Sequence, residues 1–167
     1  DRSPADPGEN GTVWFSSPSP FHYHGDPQKT SATYDETGSW YTVGDRGHVD
    51  ADGYLFLSGR TAECINCGGV NIYPARIDEA LATAPGVLDA AAFGLPDDDL
   101  GEVVAAALVV EAGIDRDRVI DSTIEHCQRL IGSQLTPRRV FLVEELPRSD
   151  AGKLYRQRLT DRFASTD

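Results

Sequence analysis

Methionine is absent from all 167 residues, including position 1. Because an intact translation product begins with methionine, we expect this sequence to be a piece of a longer protein. Long apolar runs are also absent, and none approaches the roughly 20 residues that a membrane-spanning helix needs. Asp1 to Gly11 hold no charged segment followed by an apolar one, so we expect no secretory signal there. We therefore expect a soluble, cytoplasmic protein with no transmembrane segment.

Basic residues are scarce. The sequence has 15 lysines and arginines against 27 aspartates and glutamates, which gives a formal net charge of -12. Like charges repel within a Debye length of about 8 to 10 Å, so this excess opposes binding to nucleic acid or to anionic lipid. We expect neither nucleic acid nor a membrane surface as a partner.

Cysteines are few and odd in number: Cys64, Cys67 and Cys127. An odd count without a secretion signal disfavours a disulfide framework. The Cys64-x-x-Cys67 pair lacks a second pair of Cys or His at the spacing that a four-ligand zinc site requires. We expect all three cysteines to be reduced, Cys64 and Cys67 to be buried, and no metal site.

The length allows one or two domains. Residues 1–38 are rich in Pro, Gly, Ser and Asp and predict loops, with one strand candidate at Thr12 to Ser16. Strands are then predicted at Trp40 to Thr42, His48 to Asp50 and Tyr54 to Leu57, joined in part by an Asp52-Gly53 turn. This pattern indicates a small antiparallel sheet.

Strands and helices alternate after Arg60. The expected strands lie at 64–67, 87–93, 103–110 and 139–143, and the expected helices begin at Pro74, span 116–131 and span about 154–163. The pattern predicts an α+β protein, with a small antiparallel β subdomain over residues 1–61 followed by a compact α+β domain over residues 62–167.

A first motif that could bind a ligand occupies residues 40–45, WYTVGD. A carboxylate at a tight glycine turn, such as Asp45, can accept two hydroxyl hydrogen bonds, and charge-assisted bonds are the stronger kind. Aspartates in turns also commonly bond their own backbone. The segment alone leaves both interpretations open.

Two further motifs follow, at residues 59–74 (GRTAECINCGGVNIYP) and 146–154 (LPRSDAGKL). Gly68 and Gly69 lack Cβ atoms and so allow a ligand close to the backbone. The ammonium of Lys153, which follows a glycine, can neutralise charge that develops on oxygens in a transition state. The alternative is an ordinary surface lysine, although the sequence uses only two lysines, Lys29 and Lys153, beside thirteen arginines.

Together, and in this order, the three motifs resemble the adenylate-forming (AMP-binding) superfamily, especially the carboxyl-terminal part of its acyl-CoA synthetases and fatty-acid–CoA ligases. The resemblance covers almost the whole chain. It departs from the family pattern at Val43, where the family has threonine, at Ala62, where the hinge residue is usually aspartate or lysine, and at Arg76, where it has glutamate.

The resemblance implies a role for each matching residue. Asp45 would bind the ribose hydroxyls of ATP and Arg60 would contact the nucleotide. Gly68 and Gly69 would lie along CoA, Ala62 would stand at the hinge of a mobile domain, and Lys153 would be the catalytic lysine. The parent protein would be an ATP-dependent acid–thiol ligase that forms acyl-AMP and transfers the acyl group to CoA.

The family's phosphate-binding loop and its Thr-Glu magnesium motif find no match here. We therefore expect the Mg²⁺ ligands and the pocket for the carboxylate substrate to lie in a missing amino-terminal domain, and this fragment to be inactive alone. Two alternatives stay open: an adenylation enzyme that loads a carrier protein, and a non-catalytic accessory module.

Overall fold

The computed structural model describes residues 3–164. The chain divides into two compact units, Asp1–Ala62 and Glu63–Asp167. The first unit contains short elements: β1 (Gly11–Thr12), β2 (Phe15–Ser16), α1 (Pro27–Thr33), β3 (Trp40–Tyr41), β4 (Asp45–Val49) and β5 (Leu55–Arg60). A single 3₁₀ turn, Thr61–Glu63, contains the boundary between the units.

The first unit forms two antiparallel sheets, one with strand order β1-β4-β5 and one that pairs β2 with β3. Aromatic rings fill the space near β3: the Tyr41 ring lies 5.5 Å from Phe15, 5.1 Å from Phe21 and 5.9 Å from Tyr34. This cluster holds the loop-rich segment together where few aliphatic side chains are available.

Helix α1 was not predicted from the sequence. Asp26 caps it by accepting a hydrogen bond from the amide of Lys29 at 2.8 Å, and Pro27 occupies its first turn. Both are helix-start signals. The surrounding residues are polar and prolines are frequent, so no apolar helical stripe marks this helix in the sequence. The predicted strand from Thr12 to Ser16 was also wrong, since β1 and β2 are separate two-residue strands in different sheets.

The second unit is a mixed sheet with helices on both faces. Its elements are β6 (Ile65–Cys67), β7 (Val70–Ile72), α2 (Ala75–Ala82), β8 (Val87–Asp97), β9 (Gly101–Val110), α3 (Arg116–Ile131), β10 (Arg139–Leu142) and α4 (Arg156–Phe163). β8 pairs with β9 along its whole length, and β9 pairs in parallel with β10 and in antiparallel with β6. The α+β prediction is confirmed, and α3 has the predicted bounds.

Small residues at the centre of the β8–β9 hairpin alternate between two cores. Ala92 and Ala106 face the core that includes Leu81 of α2 and Cys127 of α3. Ala91, Phe93 and Ala105 face the opposite core, which is completed by Leu159 of α4. Because successive side chains of a strand point to opposite faces, a continuous apolar run is what a sheet covered on both faces requires.

Candidate functional site

Asp45 and Arg60 meet across the first sheet, at the start of β4 and the end of β5. They are register partners in this antiparallel pair, and Arg60 Nε donates to Asp45 Oδ1 at 3.2 Å. The Asp45 side chain is 19% exposed and that of Arg60 is 48% exposed. The backbone secures the corner, because the amide of Thr61 donates to the carbonyl of Gly44 at 2.9 Å. The two predicted nucleotide-binding residues of the first unit are thus brought together.

Gly68 and Gly69 form the two-residue turn between β6 and β7, whose flanking residues Cys67 and Val70 are register partners. Their φ angles are +58° and +81°. A two-residue hairpin turn of the type I′ kind needs positive φ at both central positions, and glycine adopts this conformation without strain. The turn is anchored where the Gly68 amide donates to the Leu100 carbonyl at 2.8 Å. The hairpin therefore favours glycine at both positions independently of any ligand.

Lys153 lies in a short hairpin between β10 and α4, closed by an isolated bridge between Arg148 and Leu154. The amide of Ser149 donates to the carbonyl of Lys153 at 2.8 Å, and the amide of Gly152 donates back to the carbonyl of Ser149 at 2.8 Å. Gly152 has a φ of +81°. The Lys153 side chain is exposed, so this hairpin presents an ammonium group to solvent on a hydrogen-bonded turn.

Arg148 joins this hairpin to β8. Its guanidinium donates to both carboxylate oxygens of Asp89, with Nη2 at 2.9 and 3.1 Å, and its Nη1 donates to the carbonyl of Gly152 at 3.0 Å. No local pattern in the sequence marks this pair, because its members are 59 positions apart.

A second arginine, Arg156, is the first residue of α4 and lies in a largely buried cluster. It donates to Glu63 at 3.0 Å, to the carbonyl of Ala92 at 2.7 Å, and to both carboxylate oxygens of Asp78. Asp78 also accepts a bond from the amide of Ala92 at 2.7 Å. The cluster therefore links the first residue of the second unit, α2, β8 and the helix that follows Lys153.

The protonation of this cluster reflects competition between burial and charge. Burial raises the pKa of Asp78 above its ordinary value of 3.8, while the adjacent Arg156 partly opposes that rise. For Arg156, burial acts to lower the pKa, but the bonds to Asp78 and Glu63 outweigh it and raise the pKa above its ordinary value. Arg156 therefore stays charged, and its two carboxylate partners compensate that charge.

The remaining predicted positions have simpler surroundings. Ala62 is exposed in the 3₁₀ turn that contains the unit boundary. All three cysteines are free thiols, but only Cys127 is fully buried, so the prediction that Cys64 and Cys67 are buried was wrong. Cys64 and Cys67 are half-buried because they lie at the short hairpin at the end of the sheet, whereas Cys127 faces the core from α3.

Across residues 3–164, no three His, Cys, Asp or Glu side chains come together as a group that could hold a metal ion. None of the helices in that range combines the length and apolarity needed to cross a bilayer. Cytoplasmic location stays a prediction.

Comparison with known proteins gives a consistent result. Residues 76–153 match the family model described as the AMP-binding enzyme C-terminal domain. The sulfoacetate–CoA ligase of Cupriavidus necator is 40% identical over 161 residues, which are 95% of this chain and 31% of that protein. A long-chain-fatty-acid–CoA ligase of Mycobacterium tuberculosis is 33% identical over 86% of this chain and 28% of its own length.

A solved structure shows a similar fold. The o-succinylbenzoate–CoA synthetase of Bacillus subtilis, in complex with ATP and a magnesium ion, has a TM-score of 0.81 and 28% identity, with coverage of 95% of this chain and 32% of that one. This chain thus spans about a third of the length of the proteins that it matches. The predicted resemblance to the adenylate-forming superfamily is confirmed.

Proposed function

Because residues 76–153 belong to the family of AMP-binding enzyme C-terminal domains, we propose that this chain is the carboxyl-terminal part of an ATP-dependent acid–CoA ligase. The observation that carries the proposal is the pairing of Asp45 with Arg60 at 3.2 Å, since the resemblance assigns both residues to the nucleotide. Among the described residues, Arg60 is the only side chain bonded to the Asp45 carboxylate. That carboxylate therefore keeps acceptor capacity for ribose hydroxyls.

The proposed reaction has two steps. A carboxylate oxygen of the acid attacks the α-phosphorus of ATP, the bond to the β-phosphate breaks, and pyrophosphate leaves with acyl-AMP formed. The sulfur of CoA then attacks the acyl carbon, the bond to AMP breaks, and the thiol proton passes to solvent. Lys153 would stabilise charge on the carboxylate and phosphate oxygens in the first step, and the Gly68-Gly69 turn would border CoA in the second.

We further propose that residues after about Ala62 act as a mobile domain that serves the two steps in turn. The exposed residues Thr61 and Ala62 of the 3₁₀ turn support this, because a short exposed connection between compact units can absorb changes of φ and ψ at little cost. Lys153 and the glycine turn lie in separate hairpins of the same unit. A single unit could therefore supply a different motif to each step.

The rest of the parent protein is the proposed partner of the first unit. Tyr54, Leu55, Phe56 and Leu57 are large apolar side chains that remain between 44% and 69% exposed on and beside β5. A contiguous exposed apolar strand is typical of a surface that another part of a protein covers. The missing amino-terminal domain, which would also hold the acyl pocket, is the occupant that we propose.

Pyrophosphate release with ATP and Mg²⁺ tests the activity directly. We expect the full-length gene product to respond to at least one acid in a panel, with fatty acids as the first candidates and short dicarboxylates and sulfonated acids beside them. The 167-residue chain, assayed in parallel, should give no turnover because it lacks the acyl pocket. Turnover by the short chain, or none by the longer protein with any acid, would contradict the proposal.

Gly69 allows the turn requirement to be separated from a role in CoA binding. In the full-length enzyme, Gly69→Ala should be strained by about 1 to 2 kcal/mol at a φ of +81°, although a Cβ there would touch no other atom within 4 Å. Gly69→Asn is the matched control, because asparagine tolerates this conformation.

Thioester formation from supplied acyl-AMP is the informative measurement for these two variants. If CoA passes close to the turn, both substitutions should raise the KM for CoA, because each adds a Cβ. Recovery of the wild-type KM in Gly69→Asn would assign the glycine to the turn alone and would remove CoA contact from the proposed role.

A further inference from the structure

We propose that Arg148 and Asp89 are positioning residues for Lys153: their ion pair fixes the hairpin that presents the lysine. This inference rests on the proposed function, because it assumes that the place of the Lys153 ammonium matters for adenylation. It assigns a role to Arg148 and Asp89, which are not among the five residues expected to touch ligands, although Arg148 lies within the third motif.

The contacts of Arg148 differ on its two sides. Towards β8 its guanidinium forms a fork, with Nε donating to Asp89 Oδ2 at 3.2 Å and Nη2 to Oδ1 at 2.9 Å. Towards the turn its Nη1 donates to the carbonyl of Gly152 at 3.0 Å. Gly152 directly precedes Lys153, so one planar group connects a strand of the sheet to the backbone beside the lysine.

The hairpin has few other attachments on this side. Its turn is closed by backbone bonds between Ser149 and Gly152 and between Ser149 and Lys153, and by the Ser149 hydroxyl, which accepts from the Lys153 amide at 3.1 Å. These bonds shape the turn but do not connect it to the sheet. Beyond the lysine, Leu154 packs against the core that contains Leu159. Arg148 is therefore the side-chain connection from the turn to β8.

The solvent exposure of Arg148 and Asp89 indicates that their ion pair has a local effect on the hairpin. The side chains of Arg148 and Asp89 are 39% and 40% exposed. Ion pairs at such exposure contribute little to global stability, so loss of the pair should leave the fold intact and release the hairpin. A bidentate fork also constrains direction, which a single ammonium cannot do. Arg148→Lys should therefore keep the charge and lose most of the orientation.

The test uses full-length enzyme with Arg148→Lys and Asp89→Asn. Arg129→Lys is the matched control, because Arg129 is exposed on α3 and this substitution removes the same guanidinium group at a different place. We expect both test variants to lower the rate of acyl-AMP formation by about tenfold to a hundredfold, since a small misplacement of a catalytic group has effects of this size. Thioester formation from supplied acyl-AMP should stay within about twofold of wild type.

Hydrogen exchange supplies a readout that does not depend on activity. The amides of Ser149, Gly152 and Tyr155 are bonded within or beside the hairpin, so a peptide covering 147–155 should exchange faster in both test variants and not in the control. Wild-type exchange in Arg148→Lys and Asp89→Asn would overturn the proposal. Equal losses in both half-reactions would also overturn it, because they would indicate a general structural role.

Lys153→Ala, assayed beside these variants, separates the two levels of inference. If Lys153→Ala impairs adenylation while the Arg148 and Asp89 variants do not, the positioning role fails and the proposed function stands. If Lys153→Ala leaves adenylation at the wild-type rate, the proposed role of the lysine fails. Faster hydrogen exchange in the Arg148 and Asp89 variants would then show that the ion pair holds the hairpin without any effect on catalysis. That result would also overturn the positioning proposal.

Discussion

Lys153→Ala should lower the rate of acyl-AMP formation in the full-length enzyme by about a hundredfold to a thousandfold, the usual cost of removing one group that stabilises transition-state charge. Thioester formation from supplied acyl-AMP should change by no more than about twofold. The physical reason is that negative charge on the transferring phosphate and the attacking carboxylate must be neutralised only in the first step. Pyrophosphate exchange measures that step, and release of AMP from supplied acyl-AMP and CoA measures the second.

The chain offers a matched control for this prediction, because it contains only one other lysine, Lys29. Lys29 lies in α1, with its ammonium 4.2 Å from the centre of the Tyr23 ring. Lys29→Ala should therefore leave both half-reactions unchanged. Lys153→Arg is the second comparison: it keeps the charge but spreads it over a larger planar group, so partial activity would indicate an electrostatic role. Equal loss of both half-reactions in Lys153→Ala would contradict the assignment.

Local patterns predicted the regular elements of the second unit well. Helix α3 (Arg116–Ile131) has a clear apolar stripe, and the apolar runs of β8 and β9 are long enough to stand out. The first unit was harder, because two-residue strands such as β1 and β2 carry no periodicity at all. Its short elements depend on partners distant in sequence, which a single sequence does not reveal.

Some residues of the candidate site could likewise be predicted from local sequence patterns, and others could not. Asp45, Arg60, Gly68, Gly69 and Lys153 could be proposed because each lies in a motif that resembles a known family. The side chains around them could not, since Arg148 bonds a residue 59 positions away and Arg156 bonds Glu63 at a separation of 93. From the sequence, the glycines were related to ligand approach, whereas their positive φ angles show that the turn itself also favours glycine at both positions.

Arg156→Met should destabilise the protein by about 2 to 4 kcal/mol at pH 7, somewhat below the cost of breaking a fully buried ion pair because the cluster is partly exposed. Methionine has similar length and helix propensity, so the loss comes from Asp78, which would be left as a largely buried carboxylate without its cation. Urea unfolding followed by far-UV circular dichroism measures the change. Arg158→Met, at an exposed position of the same helix, should cost no more than about 0.5 kcal/mol.

The cost of Arg156→Met should depend on pH in a defined direction. Burial already raises the pKa of Asp78 above 3.8, and Arg156 opposes that rise, so removing the arginine should raise the pKa further. A carboxyl group whose pKa is higher in the folded state contributes stability below its unfolded pKa and loses that contribution as the pH rises through the folded value. The destabilisation should therefore be small near pH 4 and grow towards pH 7. A constant difference across this range would contradict an uncompensated Asp78.

A double variant tests whether Asp78 and Arg156 compensate each other's charge. Asp78→Asn combined with Arg156→Met removes both charges of the central pair, and the asparagine side-chain oxygen can still accept from the amide of Ala92, as Asp78 does. Replacing both members of a buried ion pair is often close to neutral, whereas removing one member is costly. Glu63, the third member, is 33% exposed and can be hydrated. We therefore expect the double variant to be more stable than Arg156→Met alone at pH 7, with little dependence on pH. If the losses in free energy of unfolding caused by the two single substitutions were simply additive in the double variant, the cluster would stabilise the unit through packing and not through mutual compensation of buried charge.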